Sequence, residues 1–425
     1  MKSRREVIVI GAGAAGLMAA GRAAELGAHV LLLEKMGEAG KKILVSGQER
    51  CNVTNAAPLE TFLTAYGRNG AFLRNAFHRF FRDELLTLLR RYGVETQVER
   101  GGRLFPASGR AADVRDALVR YATEQGATIR YRVAVQQILV NQGSVAGVRS
   151  AGGETLPADA VILTTGGASW TGTGSTGDGY IMARDLGHTL VPLRPALVPL
   201  TVAEKTRAKA LQGVSLRNVT CTLLEQAAAG KEKVIPPPWP LPPTGEVLFT
   251  HFGISGPLVL SLSLAAVDAV RAGKTVSLSL DLKPGMRREE ICARLQREFE
   301  QTPQRKLPHL LRGWAPGTLA DELAKLSPVG AERPVHTIRA EERDGLATLL
   351  KDFRWRITGA LPLAAGMVTA GGIALKEVDP ISFASRLITG LYLAGEVLDL
   401  AADTGGYNLQ AAFSTGYLAG AAAAE

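Results

Sequence analysis

The sequence predicts an α/β fold that is built on a parallel sheet and interrupted by an insertion. Three observations support this prediction. A short apolar strand, residues 7–10, runs directly into a glycine-rich turn and an Ala- and Leu-rich helix. From about residue 192 prolines become dense and short runs alternate in polarity, which is typical of antiparallel strands. After residue 390 an apolar strand and a glycine-rich turn return, so we expect the tail to fold back onto the first domain.

The amino-terminal segment carries the most informative pattern, because GAGAAG at residues 11–16 lies between a strand and a helix. Gly11 permits a tight turn, Gly13 lets the backbone approach a pyrophosphate, and Gly16 lets the helix and strand pack closely. The N–H groups and positive dipole end of the helix favour phosphates. A second apolar run ends on Glu34, which is placed to accept hydrogen bonds from a ribose. We therefore predict that an ADP-containing dinucleotide binds here.

Size and composition limit the remaining classes of protein. With 425 residues, about two or three domains are expected. A hydrophobic content of 46% and a charged content of 21% are those of a globular protein. No uninterrupted apolar run reaches about 18 residues, and the amino terminus has no apolar signal region, so we expect neither a membrane span nor export. Cys51, Cys221 and Cys292 are too separated for a disulfide framework, and a reducing cytoplasm is the simplest location.

Basic residues exceed acidic ones, giving a net charge of +9, and they are unevenly distributed. One cluster lies in a stretch of helical periodicity at residues 70–92, and the other in the helical part of the insertion. A solvated helix face explains either cluster alone, but the two together keep an RNA-binding function open. The clusters are Arg68, Arg74, Arg79, Arg82, Arg90 and Arg91, and Arg305, Lys306, His309 and Arg312.

The changes in pattern divide the chain into three predicted domains. Residues 1–190 and 355–425 form the parallel-sheet domain, residues 191–284 and 346–354 a β-rich inserted domain, and residues 285–345 a small helical domain. Within the first domain, GTGSTG at residues 172–177 matches the glycine fingerprint again. No strand enters this segment directly and no acid follows at the end of a later strand, so we do not predict a second nucleotide-binding domain.

Two other strand ends are expected at the cofactor. The strand at residues 161–163 leads into Thr165 and Gly166, where a central strand should pass beneath it. The strand at residues 391–393 ends near Gly395 and Glu396, and glycines then precede a helix at residues 409–423. A second helix amino terminus suits the far end of a longer cofactor such as FAD. Unrelated glycine turns are the alternative interpretation.

Together these segments resemble the BaiN/YhiN-like family of FAD-dependent oxidoreductases over nearly the whole chain. The most specific motifs are HFGISGP at residues 251–257 and GGYNLQ at residues 405–410. The chain departs from the family pattern at Gln48-Glu49, where two glycines are common, and at Ala401-Ala402, where Asp-Gly is common. The other shared motifs are GAGAAG at 11–16, KILVSG at 42–47, RCNVTN at 50–55, TGG at 165–167, GSTGDG at 174–179, VTAGG at 368–372 and AGE at 394–396.

The resemblance implies a discontinuous Rossmann-like FAD-binding domain with an inserted β-barrel-like domain and a small helical domain. Family activities include reduction of conjugated C=C bonds in bile-acid intermediates and of uridine to dihydrouridine in ribosomal RNA. We assign no residue to a metal. The residues assigned to FAD are Gly11, Gly13, Ala14, Ala15, Gly16, Glu34, Lys35, Lys42, Ser46, Gly47, Arg50, Cys51, Asn52, Val135, Thr165, Gly166, Gly395, Glu396, Gly406, Tyr407, Asn408 and Leu409.

Hydride delivery to a C=C bond leaves the neighbouring carbon in need of a proton, so a proton donor is expected. Cys51 in the cofactor loop is one candidate, and a purely structural role as a small buried residue is the equal alternative. His251 and Tyr407 are the other candidates, although a lone histidine is more often structural. The absence of closely spaced cysteines in the sequence argues against disulfide-reductase chemistry.

Three functions remain open at this stage. The first is an FAD-dependent C=C reductase that acts on uridine in ribosomal RNA, with NAD(P)H as the expected electron donor. The second is a reductase of a small hydrophobic enone, such as a steroid or bile acid. The third is a flavin-carrying RNA-binding protein without turnover. No membrane partner is expected, and the sequence does not define the oligomeric state.

Overall fold

A computed structural model describes residues 4–227 and 231–425, and these fall into two compact units. The first unit contains the chain up to Ala196 together with Pro362–Glu425, and the second contains Leu197–Leu361. The predicted β-rich and helical segments therefore share the second unit for most of their length. The division into three domains, with the boundaries given above, stays a prediction.

Strands and helices alternate in the amino-terminal half, whereas strands precede helices in the middle of the chain. The strands are β1 (Glu6–Ile10), β2 (His29–Glu34), β3 (Thr54–Asn55), β4 (Thr96–Glu99), β5 (Arg103–Pro106), β6 (Thr128–Tyr131), β7 (Val135–Asn141), β8 (Ser144–Ser150), β9 (Thr155–Pro157), β10 (Ala160–Leu163), β11 (Leu190–Ala196), β12 (Leu200–Val202), β13 (Ser215–Gln226), β14 (Glu232–Val234), β15 (Gly245–Thr250), β16 (Gly253–Ser255), β17 (Val276–Asp281), β18 (Phe353–Ala360), β19 (Val368–Ile373) and β20 (Leu391–Leu393). The helices are α1 (Ala14–Glu25), α2 (Lys41–Val45), α3 (Leu59–Thr64), α4 (Arg74–Arg79), α5 (Arg82–Arg91), α6 (Ala111–Glu124), α7 (Asp178–Asp185), α8 (Lys205–Ala210), α9 (Pro257–Arg271), α10 (Arg288–Gln301), α11 (Leu307–Leu311), α12 (Gly317–Leu326), α13 (Ala340–Lys351) and α14 (Tyr407–Ala424).

A parallel sheet with the strand order β20-β10-β1-β2-β6 forms the centre of the first unit. Its inner strands are apolar because both faces are covered, and Val9 and Ile162 are fully buried. The carboxyl ends of parallel strands meet at one edge of a sheet. Gly11, Glu34 and Thr164 therefore lie along the same edge, at the ends of β1, β2 and β10. This arrangement confirms the predicted α/β fold.

The tail returns to the first unit, as the sequence predicted. β20 pairs in parallel with β10, and α14 packs against α1. Small residues permit this close approach. A β-carbon at Gly416 would come within 2.3 Å of the Ala15 carbonyl oxygen, and one at Gly420 within 2.3 Å of the Ala19 carbonyl oxygen. The two helices therefore touch along their backbones.

Antiparallel strands form a closed barrel in the second unit. The pairing runs β13-β15-β16-β12-β18-β17 and returns from β17 to β13, while β14 pairs with the end of β13. The apolar helix α9 packs against each strand of this ring. Helices α10 and α13 share the same hydrophobic core as the barrel, which includes Trp355 and Phe353. The antiparallel strands predicted from the alternating runs after residue 192 are confirmed, and β13 and β17 are one such pair.

Two predicted elements are interrupted in the structure. The helical stretch at residues 70–92 breaks at Phe80 and Phe81, because the Glu84 carboxylate accepts the Phe81 N–H at 2.9 Å and starts a new helix, α5. The sequence of residues 128–135 predicts one strand, but the strand stops at Tyr131. The next residue, Arg132, has φ +61°, and its N–H bonds to the Met36 carbonyl at 3.0 Å. Over the described ranges, none of the helices is both long and apolar enough to cross a membrane.

Candidate active site

The glycine-rich turn between β1 and α1 has the geometry that its sequence predicted. Gly11 adopts φ +97°, which favours glycine. A β-carbon at Gly16 would lie 1.8 Å from the Gly11 carbonyl oxygen, so glycine is required there. A β-carbon at Gly13 would meet nothing within 4 Å among the described residues. The backbone at Gly13 therefore borders open space.

The amino end of α1 opens onto the same space. The first N–H groups of a helix have no carbonyl partner in the preceding turn, and no side chain caps α1. Its first turn is formed by Ala14, Ala15 and Gly16, whose side chains add no charge or bulk. The helix dipole adds positive potential at this position. This end of α1 suits an anion.

Glu34 is fixed at the carboxyl end of β2. One carboxylate oxygen accepts the Ala12 N–H at 2.7 Å, and the other accepts the Met36 N–H at 2.8 Å. Each oxygen retains a second lone pair for another donor. Glu34 is therefore held by the backbone beside the glycine turn.

A pocket beside this turn brings together several predicted cofactor residues. Gly11, Glu34, Lys35, Val135 and Thr165 all line it. The Thr165 hydroxyl is buried and has no hydrogen-bond partner among the described residues. A β-carbon at Gly179 would lie 2.0 Å from this hydroxyl, so the Thr165 side chain packs against the start of α7.

Lys35 is anchored on the opposite wall of this pocket. Its ammonium donates to Asp178 at 2.5 Å and to the Thr176 hydroxyl. Burial opposes ionisation of Asp178, but the hydrogen bonds from Lys35 and Thr176 lower its pKa overall. Asp178 begins α7, and a 3-10 turn at Thr171–Thr173 precedes it instead of a strand. The repeated glycine pattern at residues 172–177 thus contacts the first site through the bond between Thr176 and Lys35.

A second polar cluster lies where β20 ends. Lys42 donates to Glu396 at 2.5 Å and to the Ser169 hydroxyl at 3.1 Å. Glu396 also accepts the Thr369 N–H at 2.9 Å. These contacts hold Glu396 between the loop that follows β10 and the start of β19. Gly166, with φ +74°, lies in that loop.

Cys51 is enclosed in the loop that follows α2. It has no solvent exposure, and burial raises the pKa of its thiol to about 12, against a smaller opposing hydrogen bond from Ser46. Its backbone N–H donates to the Ser46 carbonyl at 3.0 Å. The thiol therefore carries its proton at neutral pH.

The backbone of this loop is left-handed at several positions. Gly47, Gln48, Glu49 and Cys51 have φ between +57° and +65°. Left-handed backbone disfavours residues other than glycine. Gln48 and Glu49, the departures from the family pattern, thus occupy positions where glycine is the least strained residue.

Asn52 and Asn408 connect the loop to the start of α14. With its amide oriented to satisfy its neighbours, Asn52 accepts the Gly406 N–H at 3.0 Å and donates to the carbonyls of Thr54 and Leu104. Asn408 bonds to both the N–H and the carbonyl of Ala402. The side-chain amides of Asn52 and Asn408 therefore hydrogen-bond to the protein backbone.

Tyr407 lies at the first position of α14 and is half-buried. Its ring packs edge-on against Phe62 at 4.6 Å, and its carbonyl accepts the Tyr66 hydroxyl at 2.6 Å. Burial raises the pKa of the Tyr407 hydroxyl, with a further contribution from Asp403. Its phenol is therefore protonated at neutral pH. Leu409, two positions further on, packs against the hydrophobic core of the unit.

Two predicted residues lie in other surroundings. Arg50 donates to Glu99 at 2.6 Å and stacks over the ring of Phe105 at 4.0 Å. His251 is exposed in the turn between β15 and β16, and therefore belongs to the second unit. Its assignment as a proton donor stays a prediction.

Several residues that form these clusters were not among the predicted site residues. Asp178, Thr176, Ser169 and Thr369 all bond to predicted site residues. Asp178 and Thr176 carried a signal, since both stand in the GSTGDG motif. Thr369 stands in the VTAGG motif. Ser169 carried no comparable signal, because its role comes from segments that only the fold brings together.

Comparisons with known proteins agree with this architecture. The family model described as "HI0933-like protein Rossmann domain" matches residues 5–422. A 3-dehydro-bile acid delta(4,6)-reductase from Clostridium scindens is 34% identical over 419 residues, covering 98% of both chains. A ribosomal RNA dihydrouridine synthase from Escherichia coli is 29% identical over 417 residues, covering 97% of this chain and 96% of the other.

A solved structure supports the fold alone. The 3-ketosteroid-delta4-(5alpha)-dehydrogenase from Rhodococcus jostii is 16% identical, with a TM-score of 0.53, covering 100% of this chain and 97% of the other. The match of the family model over nearly the whole chain decides the relationship. The chain belongs to the HI0933-like family, of the BaiN/YhiN type, and is an oxidoreductase.

Proposed function

We propose that this oxidoreductase is a flavoprotein that holds FAD along the carboxyl edge of the parallel sheet. The residues present fit its ADP part. The space beside Gly13 and the uncapped end of α1 suit the pyrophosphate, and Glu34 suits the ribose. The open space at Gly13, directly beside the uncapped amino end of α1, is the single observation that carries this proposal.

The flavin end would lie toward the loop of Cys51 and the start of α14. When bound, FAD supplies a hydride to an electron-poor C=C bond. The chain would position the substrate and provide the proton that completes the reduction. Cys51 and Tyr407 both hold a proton at neutral pH, since burial raises their pKa values. Cys51 is our first candidate and Tyr407 the second, while His251 remains a third.

We infer uridine in ribosomal RNA as the preferred substrate. The net charge of +9 and the ribosomal RNA dihydrouridine synthase among the relatives support this choice. Parts of the arginine-rich stretch are neutralised, since Arg74 pairs with Glu60 and Arg90 with Glu95. The basic character is therefore concentrated in fewer positions than the sequence suggested.

A small hydrophobic enone is the second candidate substrate. The 34% identity with a bile acid reductase, against 29% with the RNA enzyme, favours it. NAD(P)H is the proposed electron donor for either substrate. We place the protein in the cytoplasm, where its free cysteines, Cys51, Cys221 and Cys292, would stay reduced.

The deciding experiment measures dihydrouridine in ribosomal RNA from cells with and without this gene. Loss of one modified uridine on deletion, restored by the wild-type gene, is expected. Failure of Cys51→Ala to restore it, with FAD content unchanged, would support Cys51 as proton donor. Restoration by Cys51→Ala would transfer that role to Tyr407 and leave the substrate intact.

An unchanged RNA would contradict the RNA substrate. Addition of a conjugated enone to the reduced enzyme should then reoxidise its flavin, which is measured as recovery of the flavin absorbance. A protein that binds RNA without any flavin reoxidation by either substrate would be a flavin-carrying RNA-binding protein. Oxidation of NADH or NADPH under anaerobic conditions tests the donor separately.

A further inference from the structure

A second pocket of the first unit lies away from the glycine turn. It is formed by the 3-10 turn at Gly67–Leu73 and by residues 375–386, and its volume is about 330 Å³. That volume is at the lower end of ligand pockets, which span roughly 300–1,000 Å³. Phe72, Val378 and Pro380 form its apolar floor, and Arg68, Lys376 and Arg386 contribute its cations.

The charge of this pocket is largely uncompensated. Arg68, Lys376 and Arg386 are all exposed. Arg386 pairs with Asp379 at a long 3.6 Å, whereas Arg68 and Lys376 make no ion pair within the described ranges. Three cations therefore face one carboxylate. This contrasts with Arg74 in the neighbouring helix, whose guanidinium Glu60 engages at 2.6 Å.

A buried network holds the two cations of the 375–386 segment in place. Glu377 turns inward, where it accepts the Thr189 N–H at 2.8 Å and lies 3.2 Å from His188. The other nitrogen of His188 lies 2.9 Å from the Ser385 hydroxyl. The Arg386 N–H donates to the Glu377 carbonyl at 2.9 Å. Lys376 and Arg386, the sequence neighbours of Glu377 and Ser385, consequently stay on the open side.

An apolar floor with cationic edges matches a ligand that combines a flat ring with phosphate groups. Single-stranded RNA has this chemistry, since its unpaired bases stack on aromatic side chains while its phosphates attract arginine and lysine. We propose that this pocket binds a single-stranded RNA segment, with a base over the floor and phosphates at Lys376 and Arg386. The proposal rests on the proposed RNA substrate and adds where that RNA docks.

The test uses the FAD-loaded protein and a fluorescent oligouridylate of about 12 nucleotides, within the range of single-strand site sizes. Anisotropy titrations at several salt concentrations give the affinity and its salt slope. The pocket variant combines Lys376→Gln and Arg386→Gln. The matched control combines Lys209→Gln and Arg217→Gln, which removes one lysine and one arginine charge from exposed positions outside the pocket and outside both basic clusters.

Each phosphate contact with a single strand contributes about 0.7 to the salt slope. Loss of two contacts should therefore lower the slope by about 1.4 and weaken binding about 25-fold at 0.1 M salt, relative to a 1 M reference. The control should change affinity less than about twofold, because long-range charge alone is screened. Uridine monophosphate should displace the oligonucleotide at lower concentration than inorganic phosphate, because only the nucleotide contacts the floor.

Equal losses in the pocket and control variants would overturn the pocket, as would equal displacement by phosphate and nucleotide. Unchanged binding by the pocket variant would also overturn it, while leaving RNA as the substrate. The dihydrouridine measurement decides the substrate by itself, so the two proposals fail separately. Flavin absorbance and thermal unfolding, measured for every variant, show that the fold is retained.

Discussion

Gly13 and Gly16 provide a matched pair of substitutions that separates cofactor binding from folding. A β-carbon at Gly13 meets nothing within 4 Å among the described residues, and the backbone there, with φ −83°, tolerates alanine. The substitution Gly13→Ala should therefore alter the free energy of unfolding of the FAD-free protein by about 1 kcal/mol or less. The added methyl group occupies the space proposed for the pyrophosphate, so the Kd for FAD should rise at least tenfold, or about 1.4 kcal/mol.

Gly16→Ala should instead act mainly on the free energy of unfolding. Its β-carbon would lie 1.8 Å from the Gly11 carbonyl oxygen and 2.6 Å from the Thr164 hydroxyl, so the backbone of α1 or of the turn must shift. Overpacking of this kind costs about 1–3 kcal/mol, and the upper end is expected because the clash is with backbone. For a unit of this size each kcal/mol lowers the Tm by roughly 2–4 °C.

Thermal unfolding of the FAD-free proteins and quenching of flavin fluorescence on titration measure the two effects. A Gly13→Ala protein that binds FAD as tightly as the wild type would refute the position of the pyrophosphate. A Gly16→Ala protein as stable as the wild type would refute the packing argument. Loss of stability in both variants would show that substitutions in this turn do not separate FAD binding from folding.

Three further predictions concern groups outside the turn. Burial lowers the pKa of His188 in the folded protein, so as the pH falls the unfolded chain is protonated at a higher pH than the folded one. The free energy of unfolding should therefore fall as the pH drops below about 6.5. His188→Gln should flatten this pH dependence in urea unfolding, and an unchanged slope would contradict the prediction. Cys51, with a pKa of about 12 and no exposure, should resist iodoacetamide at pH 8 while the partly exposed Cys292 reacts, as read by peptide mass spectrometry; equal labelling would contradict its burial. Gly420→Val should destabilise the protein by about 1–3 kcal/mol through its clash with the α1 backbone, whereas Ala421→Val should cost less than about 1 kcal/mol; equal losses would point to helix propensity instead.

Local patterns made the first site predictable. The glycine spacing, the apolar strands and Glu34 lie within residues 7–34, so their geometry follows from turn and strand chemistry. The return of the tail was also predictable, because its strand and glycine turn repeat the same pattern. The way α14 packs on α1 was not predictable, since the need for glycine at 416 and 420 is apparent only when the α1 backbone lies against them.

Contacts between distant segments account for what the sequence could not predict. Lys35 meets Asp178, and Lys42 meets Glu396, which lies 354 positions later in the chain. Any of several carboxylates was a chemically suitable partner for either lysine. The helix break at Phe80 was not predictable for another reason. The helical periodicity of the sequence continues across it, although Glu84 caps a new helix there.

Because α14 packs against α1, the first unit can finish folding only after α14 has been synthesised. Helix α1 leaves the ribosome before its partner, and α14 follows about 390 residues later. At about 5–20 residues per second, that interval is roughly 20–80 s. The second unit, Leu197–Leu361, is synthesised entirely within it and is free to fold first. The nascent chain thus carries the open face of α1 throughout that interval, and we expect cofactor capture to follow the synthesis of α14.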